Sequence, residues 1–188
     1  MRVLITSVSA YGHLQPLLPL AKALVEAGYE VAIATGPDLR IRAEAAGFTA
    51  FEAGMSIDAA FGRLAELYPD QPYFRLAPSE ILGWYLPHLF GEVLAPAMLE
   101  DLESVVRSWK PDVVVHETWE FAGPIAAARV GIPSICQTLG LRIDDMILDS
   151  VAAAVAPLWE QHGLKPDPTA GLYRRLCLDT TPASLQDQ

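Results

Sequence analysis

The 188-residue sequence has only two cysteines, Cys136 and Cys177. They are too few and too far apart for a disulfide framework or a cysteine-based zinc site, and they read as reduced thiols of a cytosolic protein. Positive charge is scarce as well. Thirteen Lys and Arg stand against 23 Asp and Glu, a formal net charge of −10, and no Lys/Arg-rich run is present. Nucleic acid and anionic membrane surfaces both require clustered positive charge, so neither is an expected partner. No segment approaches the roughly 20 uninterrupted apolar residues of a membrane span. The N-terminal run Val3-Leu4-Ile5 is followed by Ser7, Ser9, Gly12 and His13 rather than by an export signal's hydrophobic region and cleavage site. What the chain holds in abundance is core-forming residues, 52% hydrophobic against 19% charged. That excludes intrinsic disorder, fits one sizeable domain, and points to a neutral or apolar small molecule as partner.

Two periodicities alternate in the first third. Val3 to Val8 reads as a buried strand, and Leu17, Leu20, Ala21, Leu24 and Val25 then recur at helical spacing up to Gly28. Glu30 to Thr35 is a second strand, Pro37 and Asp38 open a second helix that runs to Ala46 and Gly47, and Phe48 to Glu52 is a third, short strand. Residues 55–109 break the rhythm as a helical insertion that carries Phe61, Tyr68, Tyr73, Phe74, Trp84, Tyr85 and Phe90, ending in the stripe Leu94, Met98, Leu102, Val105 and Val106. The alternation resumes with a strand from Asp112 to Val115, a helix from Phe121 to Val130, a strand from Ser134 to Thr138, a helix over 143–162 and a last strand from Tyr173 to Leu178. Near-continuous apolar strands alternating with helices predict an α/β fold, a Rossmann-like doubly wound parallel sheet with helices on both faces. Right-handed crossovers give the order 3-2-1-4-5, with the carboxyl ends of the first and fourth strands straddling the switch point where such folds bind ligands.

The loop at that switch point, Ser7-Val8-Ser9-Ala10-Tyr11-Gly12-His13-Leu14-Gln15-Pro16, has one glycine where a dinucleotide fingerprint needs three. A nicotinamide-dependent oxidoreductase loses its best support. The loop offers His13 instead, at a strand-to-helix junction where a neutral imidazole can act as general base and the helix start is expected to favour that neutral form. The fourth strand ends in His116-Glu117-Thr118-Trp119. Neighbouring strands lie about 5 Å apart, so a carboxylate there is within reach of His13 Nδ1 and would leave Nε2 free. His116 and Glu117 leave a pleated strand on opposite faces, so only one joins His13, and the carboxylate suits the role better. Plainer readings stand beside these. His13 also suits capping or packing, Glu117 suits the cap of the following helix, and His13, His116, Glu117 and Cys136 lack the spacing of metal ligands, so no metal site is expected. His88 and His162 read as surface or packing residues, and the insertion's aromatics either as core or as the wall of a bulky apolar substrate site.

Met1-Arg2-Val3-Leu4-Ile5-Thr6, followed by Gly12-His13-Leu14-Gln15-Pro16-Leu17-Leu18-Pro19-Leu20-Ala21-Lys22-Ala23-Leu24, resembles the opening of GT-B glycosyltransferases of the actinobacterial macrolide and antibiotic type. Lys110 to Glu117, then Gly123-Pro124, Ala126-Ala127-Ala128 and Gly131-Ile132-Pro133, is similar to that family's fourth strand, helix and fifth strand, and Asp179 to Gln186 to the end of its N-terminal domain. The resemblance implies that residues 1–188 are a single acceptor-binding domain, and that a C-terminal donor-binding domain is its partner. It implies that His13 deprotonates an acceptor hydroxyl and that Glu117, where many members carry Asp, orients it. It further implies inverting transfer from a nucleotide-diphosphate sugar, a co-substrate bound largely by the donor domain, to a hydrophobic hydroxylated natural product in the cytoplasm, with no cofactor or metal in this chain. Alone, the chain is expected to be catalytically silent. Tyr11, Gly12, Trp84, Trp119 and Phe121 are the candidate acceptor-binding residues, ordinary packing being the plain alternative for the four aromatics. The rival function is a noncatalytic, stand-alone binding module that assists a full-length transferase.

Overall fold

The computed structural model describes residues 1–71, 76–77 and 80–185; Tyr73 and Phe74 of the expected aromatic insertion lie outside the described residues. Six parallel strands, β1 (Arg2–Thr6), β2 (Glu30–Thr35), β3 (Thr49–Glu52), β4 (Val113–Glu117), β5 (Ser134–Gln137) and β6 (Leu176–Leu178), form one sheet in the order β3-β2-β1-β4-β5-β6. This is the doubly wound order expected, with β6 added at the edge. The last strand is shorter than the expected Tyr173 to Leu178: residues 168–173 form turns and 174–175 bend before it. Gly171 has φ +91°, and a Cβ on it would lie 2.6 Å from the Pro124 side chain. Cys136 and Cys177 face one another in register on β5 and β6 as free thiols.

The period of two along each strand divides the core between the sheet's faces. Val3 and Ile5 of β1 join Val113 and Val115 of β4 and pack with Leu14, Leu17, Ala21, Leu39 and Ala43. These last come from the turns after β1, from α2 (Leu18–Glu26) and from α3 (Pro37–Ala45). Leu4 and Val114 face the other way, into a larger core with Met98, Leu102, Ile125, Val155 and Trp159. The first helical segment is broken into α1 (Tyr11–Leu14), a 3-10 turn (Gln15–Leu17) and α2, with Pro16 and Pro19 falling at the starts of the latter two pieces, where a missing N–H costs least.

The insertion is helical, as expected. It comprises α4 (Ile57–Leu67), wide π-helical turns over Ile81–Tyr85 and Pro87–Leu94, and α5 (Ala95–Trp109). Ser56 caps α4 by accepting the Ala59 N–H at 3.2 Å. The remaining helices are α6 (Ala122–Val130), closed by Gly131 at φ +76°, and α7 (Asp145–Gln161). The strand parity settles what reaches the switch point. Glu117 follows Val113 and Val115 toward the α1 face, whereas His116 follows Val114 toward α6, in register with Thr6.

Candidate active site

β1 ends at Thr6, and the loop after it folds directly into α1, which carries His13 beside the end of β4. His13 Nδ1 lies 2.9 Å from Glu117 Oε1. The carboxylate is completely buried, while the His13 side chain keeps 18% of its exposure. Glu117 Oε2 accepts the Trp119 N–H at 2.6 Å, so both oxygens are engaged. An ionised carboxylate only accepts, so the proton sits on Nδ1 and Nε2 is the nitrogen that can take up another. Burial lowers the imidazole pKa and is the largest single influence, but the charge and hydrogen bond of Glu117 together outweigh it, and the net shift is upward from 6.5. The expectation that the helix start would favour the neutral form is thus corrected: a carboxylate 2.9 Å away prevails.

One face of the His13 ring is covered by Phe90, whose ring stacks on the imidazole with centroids 5.5 Å apart. Phe90 in turn meets Trp119 at 5.5 Å, and Trp119 meets Phe121 edge-on at 6.4 Å. Phe90 carried no individual signal in the sequence, because which residue of a π-helical turn faces inward follows neither of the periods read there.

His116 is fully buried on the opposite side of β4. Its Nδ1 donates to the Glu117 carbonyl oxygen at 3.2 Å, its Nε2 has no hydrogen-bond partner among the described residues, and burial lowers its pKa to about 4, which keeps it neutral. Among the described residues no group of His, Cys, Asp or Glu gathers as metal ligands. The helix-cap role open to Glu117 is taken by Glu120. Glu120 Oε1 accepts the Ala122 and Gly123 N–H groups at 2.6 and 2.9 Å, and Oε2 accepts Gly123 N–H at 3.0 Å and the Thr6 hydroxyl. Burial is the main reason that the Glu120 pKa rises to about 7. An acidic residue two positions before a helix start was the available signal for it.

The other candidate residues divide. Trp119 and Phe121 join the ring series over His13, although Phe121 is wholly buried. Gly12 is exposed, with open space where a Cβ would point. Tyr11 is 58% exposed and lies under the Arg42 guanidinium at 5.2 Å, in a groove between α1 and α3 rather than against the His13 ring. Trp84 stacks on His88 at 4.5 Å and meets Tyr68 edge-on at 5.2 Å within the insertion. The insertion also borders a cleft of about 590 Å³ between α4 and the stretch that carries Phe90. Met55, Ala59, Leu67, Val93 and Pro96 line it, with Arg63, Glu66 and Glu92 among them.

Residues 22–188 match the family model described as erythromycin biosynthesis protein CIII-like, N-terminal domain. The L-demethylnoviosyl transferase of Streptomyces niveus is 36% identical over 157 residues, 82% of this chain and 38% of that protein. The 3-alpha-mycarosylerythronolide B desosaminyl transferase of Saccharopolyspora erythraea is 35% identical over 149 residues, 71% of this chain and 35% of that protein. The Streptomyces sp. SF2575 glycosyltransferase SsfS6, solved in complex with thymidine diphosphate, superposes with a TM-score of 0.81 at 28% identity, covering 100% of this chain and 51% of that one. The chain thus spans about half the length of that structure and less of the curated relatives. By its six-stranded doubly wound sheet and these similarities, the chain belongs to the erythromycin biosynthesis protein CIII-like N-terminal domain family, the N-terminal part of GT-B glycosyltransferases of the actinobacterial macrolide and antibiotic type.

Proposed function

We propose that residues 1–188 are the acceptor-binding half of an inverting glycosyltransferase, which acts together with a C-terminal donor-binding domain on a nucleotide-diphosphate sugar and a hydrophobic hydroxylated natural product. The observation that carries the reading is the 2.9 Å contact between His13 Nδ1 and the buried Glu117 carboxylate at the switch point. In the reaction, the acceptor hydroxyl gives its proton to His13 Nε2 as its oxygen attacks the anomeric carbon. The bond from that carbon to the diphosphate breaks and the diphosphate leaves with the electron pair, inverting the centre. Glu117 keeps the proton of the resting ring on Nδ1 and stabilises the imidazolium that forms. The Phe90 and Trp119 rings supply apolar surface beside the base, and the cleft along the insertion is of a size for a polycyclic or macrocyclic aglycone. Diphosphate recognition is assigned to the partner domain, so the chain alone binds acceptor but transfers nothing. The relatives' names support sugar transfer to antibiotic aglycones, and the thymidine diphosphate bound to SsfS6 supports a nucleotide-linked donor. No helix among the described residues is long and apolar enough to cross a membrane, which fits action in the cytoplasm.

Calorimetry on the chain separates the possibilities. Titration with polyketide and flavonoid aglycones should give saturable heat, and titration with sugar nucleotides should not. Micromolar nucleotide-sugar binding, or transfer by the chain alone, would place donor contacts within these residues and overturn the division of labour.

A further inference from the structure

The ladder between β1 and β4 ends at Thr6 and His116; His13 lies beyond it, past the turn after β1, and Glu117 is the last residue of β4, paired there with Gln137 of β5. Among the described residues no ladder pair joins β1 to β4 beyond that point, yet the His13 and Glu117 side chains meet at 2.9 Å. Glu120 spans this gap. Its carboxylate takes the Thr6 hydroxyl at the end of β1 and the Ala122 and Gly123 amides at the start of α6, and its own N–H closes the turn onto the Glu117 carbonyl at 3.1 Å. A helix cap alone would need only the two amides; the bond to Thr6 reaches 114 residues back along the chain. Gly123 is part of the same device, because a Cβ there would lie 2.6 Å from Thr6 Oγ1 and against the Glu120 carboxylate.

We propose that Glu120 is a positioning residue that pins the end of β1 to the turn between β4 and α6 and so sets the separation of His13 and Glu117. Its mechanistic meaning rests on the reading of His13 as the base, but the test does not, because it follows the imidazole and needs no substrate. The carboxylate is 1% exposed and touches none of the space over His13 Nε2 that an acceptor would occupy, so its action is through Glu117. Three donors converge on it, the Gly123 N–H shared between both oxygens, enough to hold a buried carboxylate in one orientation. Gln137, whose side-chain amide donates to the Pro16 carbonyl at 2.9 Å, ties the far end of the same loop to β5. Glu120 and Gln137 thus hold the two ends of the stretch that carries His13, whose start is also bonded to β2 through the Ser7 N–H and the Ala34 carbonyl at 3.1 Å.

The experiment is an NMR titration of the His13 imidazole, with nitrogen-15-labelled histidine, in the wild-type chain and in Glu120→Ala, Glu120→Gln and Thr6→Val. The wild type should titrate above 6.5 and show a protected, downfield Nδ1–H resonance from the bond to Glu117. Glu120→Ala removes the clamp, so the resonance should be lost and the titration should move below 6.5. Glu120→Gln keeps an oxygen for the two amides and a group that Thr6 can meet, so it should retain both features despite losing the charge. Thr6→Val removes one arm without altering charge and should shift the titration in the direction of Glu120→Ala, which decides the matter if Glu120→Ala does not fold. An equal fall in Glu120→Ala and Glu120→Gln would mean that the charge acts directly, and an unchanged His13 in Glu120→Ala or Thr6→Val would mean no coupling; either overturns the proposal. Failure of the glycosyltransferase reading would appear elsewhere, as transfer indifferent to His13→Ala, and would leave these titrations as they stand.

Discussion

Acidification should separate two buried groups that flank Glu117. The folded-state pKa of His116 is lowered from 6.5 to about 4, chiefly by burial. Its contribution to stability is therefore fully present above 6.5 and is lost as pH falls toward 4. Glu120 is shifted in the opposite sense, from 4.5 up to about 7, again chiefly by burial. What it contributes is fully present below 4.5 and is lost as pH rises through about 7. Either span corresponds to about 3 kcal/mol, and in the wild type the two slopes oppose one another across the overlap. Relative to wild type, His116→Leu should gain about 3 kcal/mol as pH is lowered from 7 to 4, because it lacks a histidine that must be charged in the core. Glu120→Gln should lose about 3 kcal/mol over the same range, because it lacks a carboxyl that takes up its proton earlier when folded. Urea unfolding followed by tryptophan fluorescence at half-unit pH steps gives the differences, in which titrating groups remote from the two positions cancel. Variant-minus-wild-type differences constant with pH to within about 0.5 kcal/mol would refute the assignment of buried, oppositely shifted groups.

The remaining expectations concern the base and its surroundings. Because His13 must be neutral to accept a proton and Glu117 raises its pKa, the pH profile of kcat/KM should rise through a midpoint above 6.5, and Glu117→Gln, which leaves burial unopposed, should move that midpoint below 6.5; superimposable profiles would contradict this. Gly123→Ala drives a Cβ against the Glu120 carboxylate and to 2.6 Å from Thr6 Oγ1, and should destabilise the fold by about 2 kcal/mol in urea titrations.

The sheet was legible because its strands are short apolar runs bounded by turn residues. Glu30–Thr35, read as EVAIAT, is the observed β2 to the residue, and the period of two set His116 and Glu117 on opposite faces, the carboxylate being preferred beside His13 on chemical grounds. The dyad was legible because strand order brings the two residues to neighbouring strand ends and the family resemblance pairs the same two. Glu120 was not, because its chief partner, Thr6, lies on a strand 114 residues away and an acidic residue before a helix is ordinary in sequence. Phe90 was hidden by π-helical turns, whose wider repeat carries side chains off the faces that a 3.6-residue period marks. Cys136 and Cys177 looked unrelated at a separation of 41 positions, and only the crossover through α7 sets them opposite one another on β5 and β6. Tyr11, two residues from His13, was drawn away by the twist of a single helical turn and lies against Arg42.

The most direct test of His13 as the base is turnover. With a donor-binding half supplied in cis or in trans, sugar nucleotide and aglycone both saturating, His13→Ala should lower the rate of transfer by about 100-fold or more while acceptor affinity changes little, as expected when a positioned general base is removed. Transfer by His13→Ala at the wild-type rate would remove His13 from the mechanism and leave the chain as an acceptor-binding module.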